Sequence, residues 1–309
     1  CLSTSYDFKK GEIIQDQTIQ PSSFPNKFSN KHPFFYECGN ITISNCQFLG
    51  CYTLESTGGG LLIQQYCDIK LHKCIFDNCR SKFQGSGAAI SKNMNVDYKD
   101  PNKPIINYEQ TNDIFIQYCC FSNCYSTEGN GYGSAMVMSS KIVRLYYAST
   151  ANCPAKGQKQ FRGAQFDMDA VNLSSQYVNA TGGDSIYCGA MEYRNAATGF
   201  FQFQTVTQMN CKYAIAFTNV DIKGLKITTS NINYNKLNTV KTEDAGANPP
   251  ALVFVQKKDL VLKDFYFYNN DFGSKGVYAA KENVDNIIIT LINCYSNNPE
   301  NRLINPSYV

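Results

Sequence analysis

Residues 45–51 read Asn-Cys-Gln-Phe-Leu-Gly-Cys, and the same spelling, Cys-x-Phe-x-x-Cys, returns at 73–79 as KCIFDNC and at 118–124 as YCCFSNC. The copies start at Cys46, Cys74 and Cys119, 28 and 45 residues apart. A metal knuckle, a disulfide framework or one rung of a repetitive fold can each write cysteine this way, and the surrounding sequence separates them.

Upstream of each copy, an Asn or Asp opens an alternating apolar run: Asn40-Ile41-Thr42-Ile43, Asp68-Ile69-Lys70-Leu71 and Asp113-Ile114-Phe115-Ile116. The aromatic follows that residue by eight positions each time, at Phe48, Phe76 and Phe121. Later the frame continues without its cysteines, as Asp259-Leu260-Val261-Leu262 leading to Phe265-Tyr266-Phe267-Tyr268-Asn269-Asn270. There Phe265 takes the place of Cys46, Phe267 that of Phe48 and Asn270 that of Cys51. Ile227–Tyr234 parallels Ile41–Phe48, and Asn286-Ile287-Ile288-Ile289 runs to Asn293-Cys294-Tyr295, with Cys294 expected in the aromatic column. Cysteine is thus exchanged for other buried residues, which a metal ligand would not tolerate.

Downstream of the aromatics come glycine-marked corners followed by small apolar runs, GGGLLI at 58–63, GSGAAI at 85–90 and GYGSAM at 131–136. Glycine permits positive φ at a sharp corner and close backbone approach beyond it. Within the segments the apolar period is two, and no helical stripe is sustained. Short strands recurring roughly every 21–36 residues predict an all-β chain wound as a right-handed parallel β-helix of about nine coils. Tyr147, Tyr177 and Tyr213 are the expected aromatic positions of the intervening coils. The expected domains are an N-terminal arm or cap at 1–37 and the β-helix at 38–309, with a loop insertion at about 92–113.

The 309 residues carry 28 basic and 25 acidic side chains, a balance that argues against nucleic acid as a partner. Fourteen cysteines are too many to leave as free thiols in a reducing compartment and predict an extracellular or cell-surface protein. Zinc is poorly served, because the histidines are His32 and His72 alone and no Cys-x-x-Cys pair occurs. The start at Cys1 predicts a mature product after signal removal, and no apolar run is long enough to predict a membrane span. Asn40, Asn172 and Asn179 each open an N-glycosylation sequon.

On GGGLLI, GSGAAI and Phe267-Tyr268-Asn269-Asn270 the chain resembles the polymorphic-membrane-protein-like repeat families of protists and chlamydiae, over roughly 38–139 and 222–298. It departs from them where Phe-x-x-Cys replaces Phe-x-x-Asn. The resemblance implies a surface or secreted role in adhesion or coat building.

In a parallel stack equivalent residues lie about 4.8 Å apart, within the ~4.4–6.8 Å between Cα atoms that a disulfide accepts. Cys46 with Cys74, or Cys51 with Cys79, would then staple successive coils, with Cys119, Cys120 and Cys124 continuing the series. A bond within one rung, Cys46 to Cys51, is equally open, and Cys1–Cys38 and Cys153–Cys188 are further pairs.

The β-helix also carries polysaccharide lyases and glycosidases, and Asp167-Met168-Asp169, near Arg162 and Lys159, is the best carboxylate pair for acid and base roles. Asp169 lies eight residues before Tyr177, however, which predicts only a turn residue ahead of a strand. No catalytic residue, metal or cofactor is therefore expected. Tyr146, Tyr147, Tyr266 and Tyr268 are candidate outward rings for protein or sugar contact. The expected function is a structural or adhesive surface glycoprotein that self-associates head to tail into a fibre or coat. A polysaccharide-active enzyme and an adhesin for host glycans or surface proteins are the rivals.

Overall fold

The computed structural model describes residues 13–20, 34–35, 40–54, 57–63, 68–91, 113–127, 133–154, 164–185, 187–218, 220, 225–237, 251–256, 260–271, 277–280 and 289–297. These residues form strands and turns, with no helix among them. Twenty-five of the strands join one sheet network, and every pairing in it is parallel. Ile41–Ser44 pairs with Ile69–His72, which pairs with Asp113–Gln117, which pairs with part of Met136–Tyr146. Each circuit of the chain therefore returns to the same place one rung further along, as in a solenoid, consistent with a parallel β-helix.

The register fixes which residues stack. Phe48 lies opposite Phe76, and Phe76 opposite Phe121, all fully or almost fully buried. Their rings stack at 4.5 and 4.8 Å, with planes within 5° of parallel. Beyond Phe121 the file runs Thr150, Ala180, Val206, Ile232 and Phe267. The core shrinks at Thr150 and Ala180 because other strands fill the interior there. Phe166 meets Phe121 edge-on at 5.7 Å, and Tyr193 and Phe201 follow.

Two corners carry most of the left-handed backbone. The first runs through Asp16, Asn45, Lys73, Tyr118, Tyr147, Tyr177, Phe203, Thr229, Asp264 and Asn293, each with φ between 51° and 59°. The second runs through Gly50, Asn78, Asn123, Asn152, Gly182, Gln208, Tyr234 and Asn269. Glycine and asparagine take this conformation at least cost. Gly87 serves a different need, since a Cβ there would stand 2.6 Å from the Phe121 ring and 2.5 Å from the Ala135 carbonyl.

Several expected positions move. Tyr147 and Tyr177 sit at the first corner and are 43% exposed, while Thr150 and Ala180 occupy the phenylalanine file. Tyr213 is buried in a separate cluster with Cys188 and Phe254. Ile232 stands in the file in place of Tyr234. Cys294 follows the corner residue Asn293, so it shares the file of Cys46, and Ser296 lies opposite Phe267. Asp169 is no turn residue: it is buried inside the long strand Phe166–Gln176. From the expected arm, Ile13–Gln15 and Thr18–Ile19 pair in register with Ile41–Ser44 and Gln47–Leu49. The expected loop insertion lies almost wholly outside the described residues, as do Cys1, Cys38, Lys159 and Arg162.

Candidate functional site

Eight of the eleven described cysteines form two files, one after each left-handed corner. Cys46, Cys74 and Cys119 lie on consecutive rungs, tied by backbone bonds from Ile75 N–H to the Cys46 carbonyl and from Cys120 N–H to the Cys74 carbonyl. Ala148, Val178, Gln204, Ser230, Phe265 and Cys294 continue that file. Cys51, Cys79, Cys124 and Cys153 form the other, which passes into an asparagine ladder where Asn235 donates its side-chain amide to Asn270 at 2.9 Å. No disulfide joins the described cysteines in this structure. The thiols instead reach back to carbonyls of the preceding rung: Cys79 donates to Phe48 at 3.3 Å, Cys124 to Phe76 at 3.5 Å and Cys153 to Phe121 at 3.6 Å.

Burial pushes the thiols of Cys79, Cys119, Cys124 and Cys153 well above the ordinary range. A neutral thiol is a poor nucleophile and metal ligand, which suits these four to packing, whereas the hydrogen bond with Cys119 pulls the Cys74 thiol below its ordinary range. Cys120 alternates outward, exposed, and accepts from the Ser149 hydroxyl at 3.3 Å. Cys153 and Cys188 belong to different clusters. Among the described residues no group of three or more His, Cys, Asp or Glu side chains is placed to hold a metal.

The carboxylates of Asp167 and Asp169 point to the same outer side of their strand, and the next strand, Cys188–Arg194, brings Glu192 opposite Asp167 and Arg194 opposite Asp169. Arg194 grips Asp167 with two bonds of 2.9 Å, and Asn195 donates to Asp169 at 2.8 Å. Asp167 is fully buried, and desolvation raises its pKa to about 6 despite the opposing pull of Arg194, with Asp169 adding to the rise. Arg194 and Glu192 carry no sequence signal, since the register that delivers them is set by the fold. A carboxylate clasped in this way braces two strands and is closed to a substrate.

At the first corner Tyr118, Tyr147, Tyr177 and Phe203 stack into a surface ladder, with centroids 4.9, 4.8 and 4.7 Å apart. A bulky residue at positive φ is strained by ~1–2 kcal/mol, and each stacked contact returns ~0.5–1.5 kcal/mol. Tyr266 and Tyr268 are also outward, at 52% and 42% exposure. Of the sequons, Asn40 and Asn179 are exposed, whereas Asn172 is half-buried in mid-strand between Ile142 and Thr198. His72 packs edge-on against Tyr118 at 5.6 Å; His32 lies outside the described residues. No helix of the described residues is long and apolar enough to cross a membrane. No protein family, curated protein or solved structure matches this chain.

Proposed function

We propose that the chain is a secreted or cell-surface structural and adhesive glycoprotein, built as a right-handed parallel β-helix of about nine coils. The observation that carries this is the unbroken parallel register from Ile13–Gln15 to Tyr295–Ser296. Such a stack ends in open strand edges, which pair with another copy unless capped. Among the described residues, Ile13–Gln15 and Tyr295–Ser296 each pair with a strand on one side alone. Head-to-tail association into a fibre or coat follows from that arrangement.

The surface setting rests on the cysteine count and on the likeness of GGGLLI and GSGAAI to polymorphic-membrane-protein-like repeats. In an oxidising compartment neighbours within one cysteine file are the partners for staples between coils, and Asn40 and Asn179 are the accessible glycan acceptors. The buried clasp at Asp167 favours a scaffold over a polysaccharide-cleaving enzyme. Electron microscopy of the native material, with glycan mapping, tests the proposal: filaments and occupied sequons are expected. Dispersed, unglycosylated monomers at high concentration would overturn it.

A further inference from the structure

The outward face beside the ring ladder has an order that the scaffold role leaves unused. One file in register across six rungs reads Lys70, Phe115, Arg144, Ser174, Phe200 and Lys226. Lys70 and Lys226 are exposed, while Phe115, Arg144 and Phe200 are half-buried. Two residues further along the same strands, the next outward file carries Gln117, Gln176 and Gln202 around Tyr146. Tyr146 bridges the files: its ring meets Phe115 edge-on at 5.6 Å and stacks with Phe200 at 6.0 Å. The ladder from Tyr118 to Phe203 walls one side.

We propose that this strip binds an extended acidic polysaccharide, a polyuronate, laid along the stacking axis. Charge complementarity identifies the occupant. The file holds three cations, of which Arg144 is ion-paired with Asp113, and the neighbouring outward file carries the two carboxylates Asp68 and Asp113. Among the described residues, the unpaired charge of the file itself is therefore that of Lys70 and Lys226. Rings accept the apolar face of a pyranose, side-chain amides both donate to and accept from its hydroxyls, and Arg and Lys receive its carboxylates. The geometry agrees. Rungs repeat every ~4.8 Å, close to the advance of one hexose in an extended chain, so successive sugars meet equivalent groups. Six rungs span about 24 Å, room for about five sugars.

The proposal deepens the surface-protein assignment and rests on it, yet the two fail separately, because filaments and sequon occupancy do not report on this strip. The test is affinity electrophoresis of the full chain in gels containing polygalacturonate, hyaluronate, a neutral β-glucan or oligo-dT. Retardation by a polyuronate is expected, weakening as salt rises. Lys226→Glu and Phe200→Ala should each reduce it about tenfold, the loss of ~1.4 kcal/mol. Tyr266→Ala, on another face, should leave it unchanged. Lys226 is exposed, so its substitution keeps the fold, and thermal melts verify each variant. The proposal is overturned by no retardation in either acidic polysaccharide, by equal retardation of wild type and Lys226→Glu, or by stronger retardation in β-glucan or oligo-dT.

Discussion

Phe48 lies face to face with Phe76, ring centroids 4.5 Å apart and planes 2° from parallel, and Phe76 repeats the arrangement with Phe121. The middle ring is therefore packed on both faces, and the next rung cannot collapse into its space without breaking register. Phe76→Ala should cost about 3–5 kcal/mol, the range for deleting a buried aromatic, whereas Phe76→Leu keeps most of the volume and should cost less. Urea unfolding followed by far-UV circular dichroism checks both.

Gly87 tests the packing of the same file from the opposite wall. A methyl group there meets the Phe121 ring and the Ala135 carbonyl, and backbone on a paired rung cannot move far. Gly87→Ala should destabilise by about 1–3 kcal/mol, as overpacking does. Its neighbour Ala88→Gly should cost about 1–2 kcal/mol, from backbone entropy and the loss of a buried methyl group. A larger loss for Ala88→Gly than for Gly87→Ala in thermal melts would contradict the close approach.

The stacking of Phe48, Phe76 and Phe121 was legible in the sequence because cysteine and phenylalanine recur together at fixed offset. The substitutions of Phe265, Phe267 and Asn270 into the same three files were legible too, through the intact Asp259-Leu260-Val261-Leu262 lead-in. The middle coils were not. There aromatic rings mislead, because Thr150 and Ala180 hold the core file and the rings of Tyr147 and Tyr177 stand at the corner. The missing cue was the residue before each cysteine. Tyr118 precedes Cys119 as Tyr147 precedes Ala148 and Tyr177 precedes Val178, so treating Ala148 and Val178 as cysteine substitutes restores the register. Arg194 and Glu192 could not be found in this way, since their partnership with Asp167 depends on which strands lie side by side.

Tyr147 combines strain with compensation, at φ 52° between the rings of Tyr118 and Tyr177. Tyr147→Asn removes two stacked contacts but suits the left-handed backbone, and should cost about 1 kcal/mol; Tyr147→Ala loses the contacts and keeps the strain, and should cost about 2 kcal/mol or more. The order wild type, Asn, Ala in denaturation midpoints is expected. Alanine at or above asparagine would show that left-handed strain contributes nothing at this corner, and asparagine at or above wild type would show that the backbone conformation outweighs the ladder.

The cysteine files make a prediction about reactivity. In the native protein iodoacetamide should label Cys120 first and leave Cys79, Cys119 and Cys124 untouched until unfolding, because the latter are buried and held as neutral thiols. Peptide mapping of protein secreted into an oxidising medium should return disulfides only between neighbours of one file, such as Cys51 with Cys79, and none linking Cys46 to Cys51. Free thiols throughout would remove the staples and leave the files as packing alone.

Asp167 predicts a pH dependence of unusual sign for a paired carboxylate. Its folded pKa of about 6 lies above the unfolded value near 3.8, so its contribution to stability is fully present below about pH 4 and is lost as pH rises through 6. Burial drives the shift; Arg194 opposes it and Asp169 reinforces it, while Glu192 faces the same group across the strand pair. The loss amounts to about 3 kcal/mol for a displacement of roughly two pH units. Asp167→Asn should abolish that slope, so the difference between wild-type and variant stability should change by this amount between pH 4 and 7. Arg194→Met removes the opposing charge and leaves the carboxylate buried alone, which should cost about 3 kcal/mol or more at pH 7 and distinctly less at pH 4, where Asp167 is neutral. Parallel urea titrations at the two pH values measure both effects, and an Arg194→Met penalty independent of pH would show that Asp167 is not the group responsible.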